Sequence, residues 1–227
     1  MEEGFWQTRW QRDQIGFHLN VVNPDLETYW SRLNIPQGSN VFVPLCGKSV
    51  DMCWLADQGY TVLGIELIEK AVADFFVEQN LTPVITLRGP FTAYTAGKIT
   101  ILCGDFFKLT AEDLVGFEAF YDRAALIALP DDLRKQYAAH LSKIMPQGCK
   151  GLLLTMDYPQ HQMKGPPFAV PPEQVEQLLG EAFAVECTEE RDILEEEWRF
   201  KAVGITRMFD YVYCVRCRSL NEAAVSA

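Results

Sequence analysis

The stretch Asn40 to Glu66, NVFVPLCGKSVDMCWLADQGYTVLGIE, constrains the fold more than any other part of the chain. Val41, Phe42 and Val43 form a β-branched and aromatic run of the kind buried in a parallel strand. Pro44-Leu45-Cys46-Gly47 then leads into a polar turn and a helix. Ser49 is placed to cap that helix, Asp51 lies in its first turn, Met52, Leu55 and Ala56 give it one apolar side, and Gly59 ends it. A second strand, Tyr60 to Ile65, finishes on Glu66. Strand, tight loop, helix, strand and acid in this order form half of a nucleotide-binding βαβ unit. In such a unit a ligand lies across the carboxyl ends of parallel strands, and the acid accepts hydrogen bonds from ribose hydroxyls.

Glu66 follows Gly47, the loop glycine, by 19 residues, the separation such a unit requires. A pyrophosphate cradle needs three glycines so that backbone can touch the phosphates, and this loop has one. A ligand with adenosine and ribose but no phosphate tolerates Leu45 and Cys46 there, and S-adenosylmethionine is the common cofactor of that description. The plain alternative is an ordinary strand-helix-strand with an exposed glutamate.

The rest of the chain extends this alternation. Phe5 to Phe17 places Phe5, Trp6, Arg9, Trp10 and Asp13 at helical spacing, a short amphipathic segment that precedes the core and covers either an apolar surface or a ligand. Pro24 to Leu33 predicts a second helix with Asn23 as its cap. Further helices are expected over Ile68 to Gln79, Asp131 to Met145 and Glu173 to Leu179, and further strands over Ile99 to Cys103, Phe117 to Tyr121, Gly151 to Met156, Val185 to Ile193 and Met208 to Cys217. Pro83 to Gly97 is ambiguous. Asp105-Phe106, just past the third parallel strand, is placed to meet an adenine, or else Asp105 caps the turn Lys108 to Leu114. The loop Asp157 to Pro172 holds five prolines and is expected to form a wall or lid. Together these elements predict an open, mainly parallel sheet with an antiparallel edge pair.

At 227 residues and 48% hydrophobic composition, the chain suits one α/β domain with an N-terminal extension. A net charge of -11 argues against nucleic acid or an anionic membrane as partner and favours a small diffusible substrate. The N-terminus MEEGFWQ lacks a basic apolar leader, and the odd count of seven cysteines fits reduced thiols; both predict a cytoplasmic protein, and a monomer is the default. Cys214-Val-Arg-Cys217 lies in a predicted strand without a second pair, and the three histidines lack metal-ligand spacing, so no metal is expected. Gly47-Lys48-Ser49 echoes a phosphate loop, but Phe42 stands where its first glycine is needed, and no Gly-x-Ser-x-Gly elbow is present.

The segments FWQTRW, NVFVPLCGKSVDMCWLADQG, VLGIEL, YDRAAL, GPPFAVP and EEEWRFKAVGI resemble thiopurine S-methyltransferases, the bacterial form in particular, over about Phe5 to Val215. That resemblance implies a class I methyltransferase. Its fold would be Rossmann-like and doubly wound, a mostly parallel seven-stranded sheet with an antiparallel last strand and an N-terminal lid helix. The corresponding layout is a single domain: a helical cover over 1–35, an α/β core over 36–217 and a flexible tail over 218–227. The resemblance places S-adenosyl-L-methionine, with S-adenosyl-L-homocysteine as its product, against Trp10, Leu45, Glu66, Gly104, Asp105 and Arg123. It places the acceptor against Phe17, Arg123 and Arg199, with the two arginines as the catalytic pair. Asp105 stands where the animal enzymes carry an apolar residue, and Trp198 beside Arg199 where they carry another.

Transfer of a methyl group from a sulfonium to a thiolate cancels charge, so such an enzyme mainly aligns its reactants. An adjacent guanidinium favours the thiolate, which removes the need for a His or Cys base. Within methyl transfer, selenium or tellurium compounds are the alternative acceptors the bacterial form implies. Outside it, the competing readings are a nicotinamide oxidoreductase, disfavoured by the single loop glycine, and a non-catalytic S-adenosylmethionine-binding module.

Overall fold

A computed structural model of the chain describes residues 3–16 and 18–219. Its chain contacts fall into two compact units, residues 1–121 and 122–227.

The first unit begins with helix α1 (Glu3–Gln11), shorter than the Phe5 to Phe17 segment that sequence suggested. Helix α2 (Pro24–Tyr29) continues as a 3-10 turn to Leu33. The Asn23 side chain accepts from the Asp25 and Leu26 amides, the cap expected from an asparagine before a proline at the first helical position. Strand β1 (Asn40–Val43), helix α3 (Asp51–Asp57), strand β2 (Thr61–Glu66) and helix α4 (Glu69–Glu78) follow, with β1 and β2 parallel and in register from Asn40↔Thr61 to Val43↔Gly64. Ser49 acts as proposed in part: its hydroxyl accepts from the Asp51 amide at 3.3 Å, while Val50 holds the cap position.

The ambiguous stretch Pro83 to Gly97 is a hairpin, β3 (Val84–Arg88) and β4 (Phe91–Ala96), closed by the pair Arg88↔Phe91 around Gly89 at φ 57. Strand β5 (Ile99–Cys103) then pairs antiparallel with β4 and parallel with β2, and β6 (Phe117–Arg123) begins parallel to β1. The order in this unit is β3-β4-β5-β2-β1-β6, a parallel centre with an antiparallel flank. Its core holds Val41, Phe42, Met52, Leu55, Phe75, Ile101 and Phe120.

The boundary between the units falls within β6, after Tyr121. The second unit contains helix α5 (Asp131–Ile144), strand β7 (Lys150–Asp157), helix α6 (Pro172–Leu179), strand β8 (Phe183–Asp192), helix α7 (Trp198–Ala202) and strand β9 (Phe209–Cys217). The last strand inserts between β7 and β8 and is antiparallel to both. The antiparallel last strand is therefore as expected and the fold is α/β and Rossmann-like, but the described residues form nine strands rather than the seven expected. The hairpin β3-β4 and the short helix α7 are additions that sequence did not assign. No described helix is long and apolar enough to cross a membrane.

Candidate active site

The loop after β1 turns through two residues with positive φ, Leu45 at 44° and Gly47 at 54°. Gly47 suits this conformation, whereas Leu45 holds it at a steric cost of about 1 to 2 kcal/mol. The turn is held from β2: the Cys46 amide donates to the Ile65 carbonyl at 2.9 Å, and the Gly47 amide donates to Glu66 Oε2 at 2.9 Å. Glu66 Oε1 accepts from the Ile68 amide at 2.8 Å. The Glu66 backbone carbonyl accepts from the Gly104 amide at 2.9 Å, which joins the ends of β2 and β5. Glu66 thus accepts three of these four hydrogen bonds.

Glu66 is only 7% exposed. Burial pushes its carboxyl pKa up, and the Ile68, Gly47 and Leu67 amides partly oppose that shift. The reading of an exposed glutamate is overturned. A carboxylate offers about four acceptor positions, so these amides orient it without exhausting it. A buried, oriented acceptor with capacity left is what a ribose diol requires, and the residues present therefore fit S-adenosylmethionine.

Trp10 is 2% exposed and packs with Ile68 and Ala71, with Trp6 and Ile15 around it. Its indole lies 3.4 Å from where a Cβ on Gly47 would stand, so the N-terminal helix lies directly on the loop. Gly104 is equally tight: an added Cβ would sit 2.7 Å from the Phe91 ring. Asp105 caps a turn, but at Phe106–Lys108 rather than Lys108 to Leu114, accepting from the Phe107 amide at 3.0 Å. Thr110 and Asp113 cap the later turn. Phe17 lies outside the described residues.

Sequence reasoning placed Asp51 only in the first turn of its helix and gave Gly64 no role. Asp51, 1% exposed, accepts from the Asn23 amide at 2.8 Å and from Tyr121 Oη at 3.1 Å, tying α2 and β6 to the start of α3. Gly64 lets Cys46 approach β2: a Cβ there would meet Cys46 Sγ at 2.7 Å. Burial, and the nearby Glu66, raise the Cys46 thiol pKa well above its ordinary value, so this cysteine is a packed apolar group and not a nucleophile. Among the described residues, no group of three or more His, Cys, Asp or Glu could hold a metal ion.

The second unit carries the two arginines on separate elements. Arg123 is half-buried at the last position of β6 and is followed by Ala124 at φ 67. Arg199 is exposed on α7, its guanidinium 5.7 Å from the ring centroid of Trp198, which is itself 67% exposed. Phe200 anchors α7 on a cluster of Tyr158, Ala169, Ile193, Ile205 and Met208. The proline-rich connection from β7 to α6 joins the same cluster and is held in place by side chains. Tyr158 Oη donates to the Pro167 carbonyl at 2.7 Å, and buried Arg134 donates to the Ala169 carbonyl at 3.3 Å and to Gln174 Oε1 at 2.7 Å. This supports a rigid wall over a flexible linker.

The family model described as Thiopurine S-methyltransferase (TPMT) matches residues 1–218. A thiopurine S-methyltransferase of Pseudomonas fluorescens strain Pf-5 is 56% identical over 213 residues, which are 94% of this chain and 96% of that protein. One from Azotobacter vinelandii is 53% identical over 94% of this chain and 98% of that protein. Among solved structures, a Burkholderia thailandensis 1,6-didemethyltoxoflavin-N1-methyltransferase with bound 1,6-didemethyltoxoflavin and S-adenosylhomocysteine superposes with a TM-score of 0.63. It covers 95% of this chain and 87% of its own at 12% identity, a likeness of fold. With a family match over residues 1–218 and relatives more than half identical over 94% of its length, the chain belongs to the thiopurine S-methyltransferase family of S-adenosylmethionine-dependent enzymes.

Proposed function

We propose that the chain methylates the sulfur of thiopurines and related aromatic or heterocyclic thiols by direct in-line transfer to a thiolate. The observation that carries this reading is the pairing of the Arg199 guanidinium with the exposed Trp198 ring, a cation beside a flat apolar face. A planar heterocyclic anion is complementary to both parts.

When bound, S-adenosylmethionine supplies an electrophilic methyl group on a sulfonium. In this reading Glu66 accepts from the ribose hydroxyls, Gly47, Leu45 and Gly104 let backbone approach the cofactor, Asp105 lies at the adenine side and Trp10 shields the loop from water. Arg123 and Arg199 bind the acceptor and lower its thiol pKa through their positive charge, so that the proton leaves to solvent before transfer. The new bond from thiolate sulfur to carbon would form as the sulfonium S–CH3 bond breaks, the electron pair staying on the sulfur of the departing S-adenosylhomocysteine, and no protein nucleophile is consumed. Alignment of this kind is worth about 7 to 11 kcal/mol in favourable cases.

The family match runs through both compact units, which supports reading 1–227 as one methyltransferase domain. The net charge of -11 supports a monomer acting on a small molecule, without nucleic acid or membrane as partner. The test is turnover of labelled S-adenosylmethionine with 6-mercaptopurine, run beside selenite. A labelled thioether supports the proposal; label transferred to selenium alone would replace it with a metalloid-methylating role.

A further inference from the structure

The residue before Arg123 is a buried aspartate that the reaction does not use, and the residue after it is an alanine in the left-handed region. Asp122 Oδ2 accepts from Tyr137 Oη at 2.6 Å, and its Oδ1 accepts from the Leu126 amide at 3.2 Å, with a further hydrogen bond from the Ala125 backbone. Both Asp122 and Tyr137 are fully enclosed. Ala124 lies between, at φ 67, a conformation that costs an L residue about 1 to 2 kcal/mol.

Three residues earlier on the same face of α5, Arg134 grips the other end of this connection, donating from Nε and Nη2 to the Leu129 carbonyl at 3.2 and 2.9 Å. The segment 122–129 is therefore fastened at both ends to one helix. Its strained turn persists because the surrounding contacts outweigh the strain.

We propose that Asp122 and Tyr137 are positioning residues for Arg123, fixing the turn that delivers its guanidinium to the methyl acceptor. The inference rests on the reading of Arg123 as an acceptor-binding residue. A short, charge-assisted bond from a phenol on α5 locks the carboxylate. The carboxylate in turn draws the Ala125 and Leu126 amides back over the strand end, and Arg123 has its backbone set from both sides. Losing the Tyr137 hydroxyl leaves the carboxylate under-coordinated and the turn free to relax toward unstrained angles, which moves the base of the arginine side chain.

The experiment is a double-mutant cycle on the full chain, with 6-mercaptopurine as acceptor at neutral pH and S-adenosylmethionine affinity read by calorimetry. Tyr137→Phe is expected to lower kcat/KM for the thiol by about tenfold, the loss of one hydrogen bond to a charged group, with cofactor affinity unchanged. In an Arg123→Ala background the same substitution is expected to have no further effect. Asp122→Asn, which keeps the side-chain volume, gives a second cycle with the same non-additive outcome should Tyr137→Phe fail to fold. Equal losses with and without Arg123, or a fall in melting temperature with unchanged kinetics, would overturn the proposal and leave the pair a purely structural one. Wild-type kcat/KM in Arg123→Ala alone would instead overturn the acceptor reading on which the proposal stands.

Discussion

The Gly47 amide donates to Glu66 Oε2 at 2.9 Å across 19 residues of chain, so one hydrogen bond links the loop after β1 directly to the acid that ends β2. Glu66→Ala removes both that bond and the acceptor for the ribose hydroxyls. Each charge-assisted bond is worth roughly 1.5 to 3 kcal/mol, so the dissociation constant for S-adenosylmethionine should rise by about tenfold or more. Titration calorimetry reads it directly. Unchanged affinity would remove Glu66 from the cofactor site.

Gly64 faces Cys46 so closely that an added Cβ would stand 2.7 Å from its sulfur and 3.0 Å from Met52 Sδ. Gly64→Ala should therefore destabilise the protein by about 1 to 3 kcal/mol through overpacking and weaken cofactor binding by displacing the loop. Cys46→Ala vacates the contested volume. Chemical denaturation should show the double variant regaining most of the lost stability; a double variant as unstable as Gly64→Ala would mean that the Met52 sulfur, not Cys46, sets the limit on size at this position.

The strand, loop, helix and strand that end on Glu66 were legible because their signals are local. A strand, a glycine loop, a helix and an acid at fixed spacing identify Glu66 from sequence alone, since the βαβ geometry dictates where the second strand ends. The Gly64–Cys46 contact carries no such signal, because it depends on how closely a loop folds onto a strand. Asp122 and Tyr137 were hidden for a related reason. Tyr137 sits on the apolar face of α5, where its spacing reads as core, and only the fold shows its hydroxyl reaching a carboxylate. The hairpin β3-β4 was obscured because every residue of β3 is exposed, so burial imposes no alternation on its sequence. Helix α7 spans five residues, too short for helical periodicity to register.

Burial raises the Asp122 pKa from an ordinary value of 3.8 to about 6, with Tyr137 and the Leu126 and Ala125 amides opposing the shift. A carboxyl group raised in the folded state binds its proton more tightly there than in the unfolded chain. Its contribution to stability is full below about pH 3.8 and is lost as pH rises through about 6. Asp122→Asn cannot ionise, so its stability relative to the parent protein should improve across that window and level off above it. Glu66 shifts in the same direction but is common to both proteins and cancels in the difference. Denaturant melts of the two proteins at a series of pH values test this; a constant difference would mean that Asp122 titrates at its ordinary value.

Arg123 ends β6 half-buried, and in the proposed reaction its charge favours the thiolate over the thiol. A heterocyclic thiol that ionises near neutrality needs this help most when the solution supplies few thiolates. Arg123→Ala should therefore depress kcat with 6-mercaptopurine severely at neutral pH and less at alkaline pH, where the acceptor ionises unaided. The acid limb of the profile of log kcat against pH should move to higher pH by the amount the guanidinium lowers the thiol pKa, with one unit corresponding to about 1.4 kcal/mol of differential interaction. A defect of the same size at every pH would assign Arg123 to orienting the acceptor and would leave the ionisation to Arg199, whose own substitution by alanine should then reproduce the pH-dependent loss.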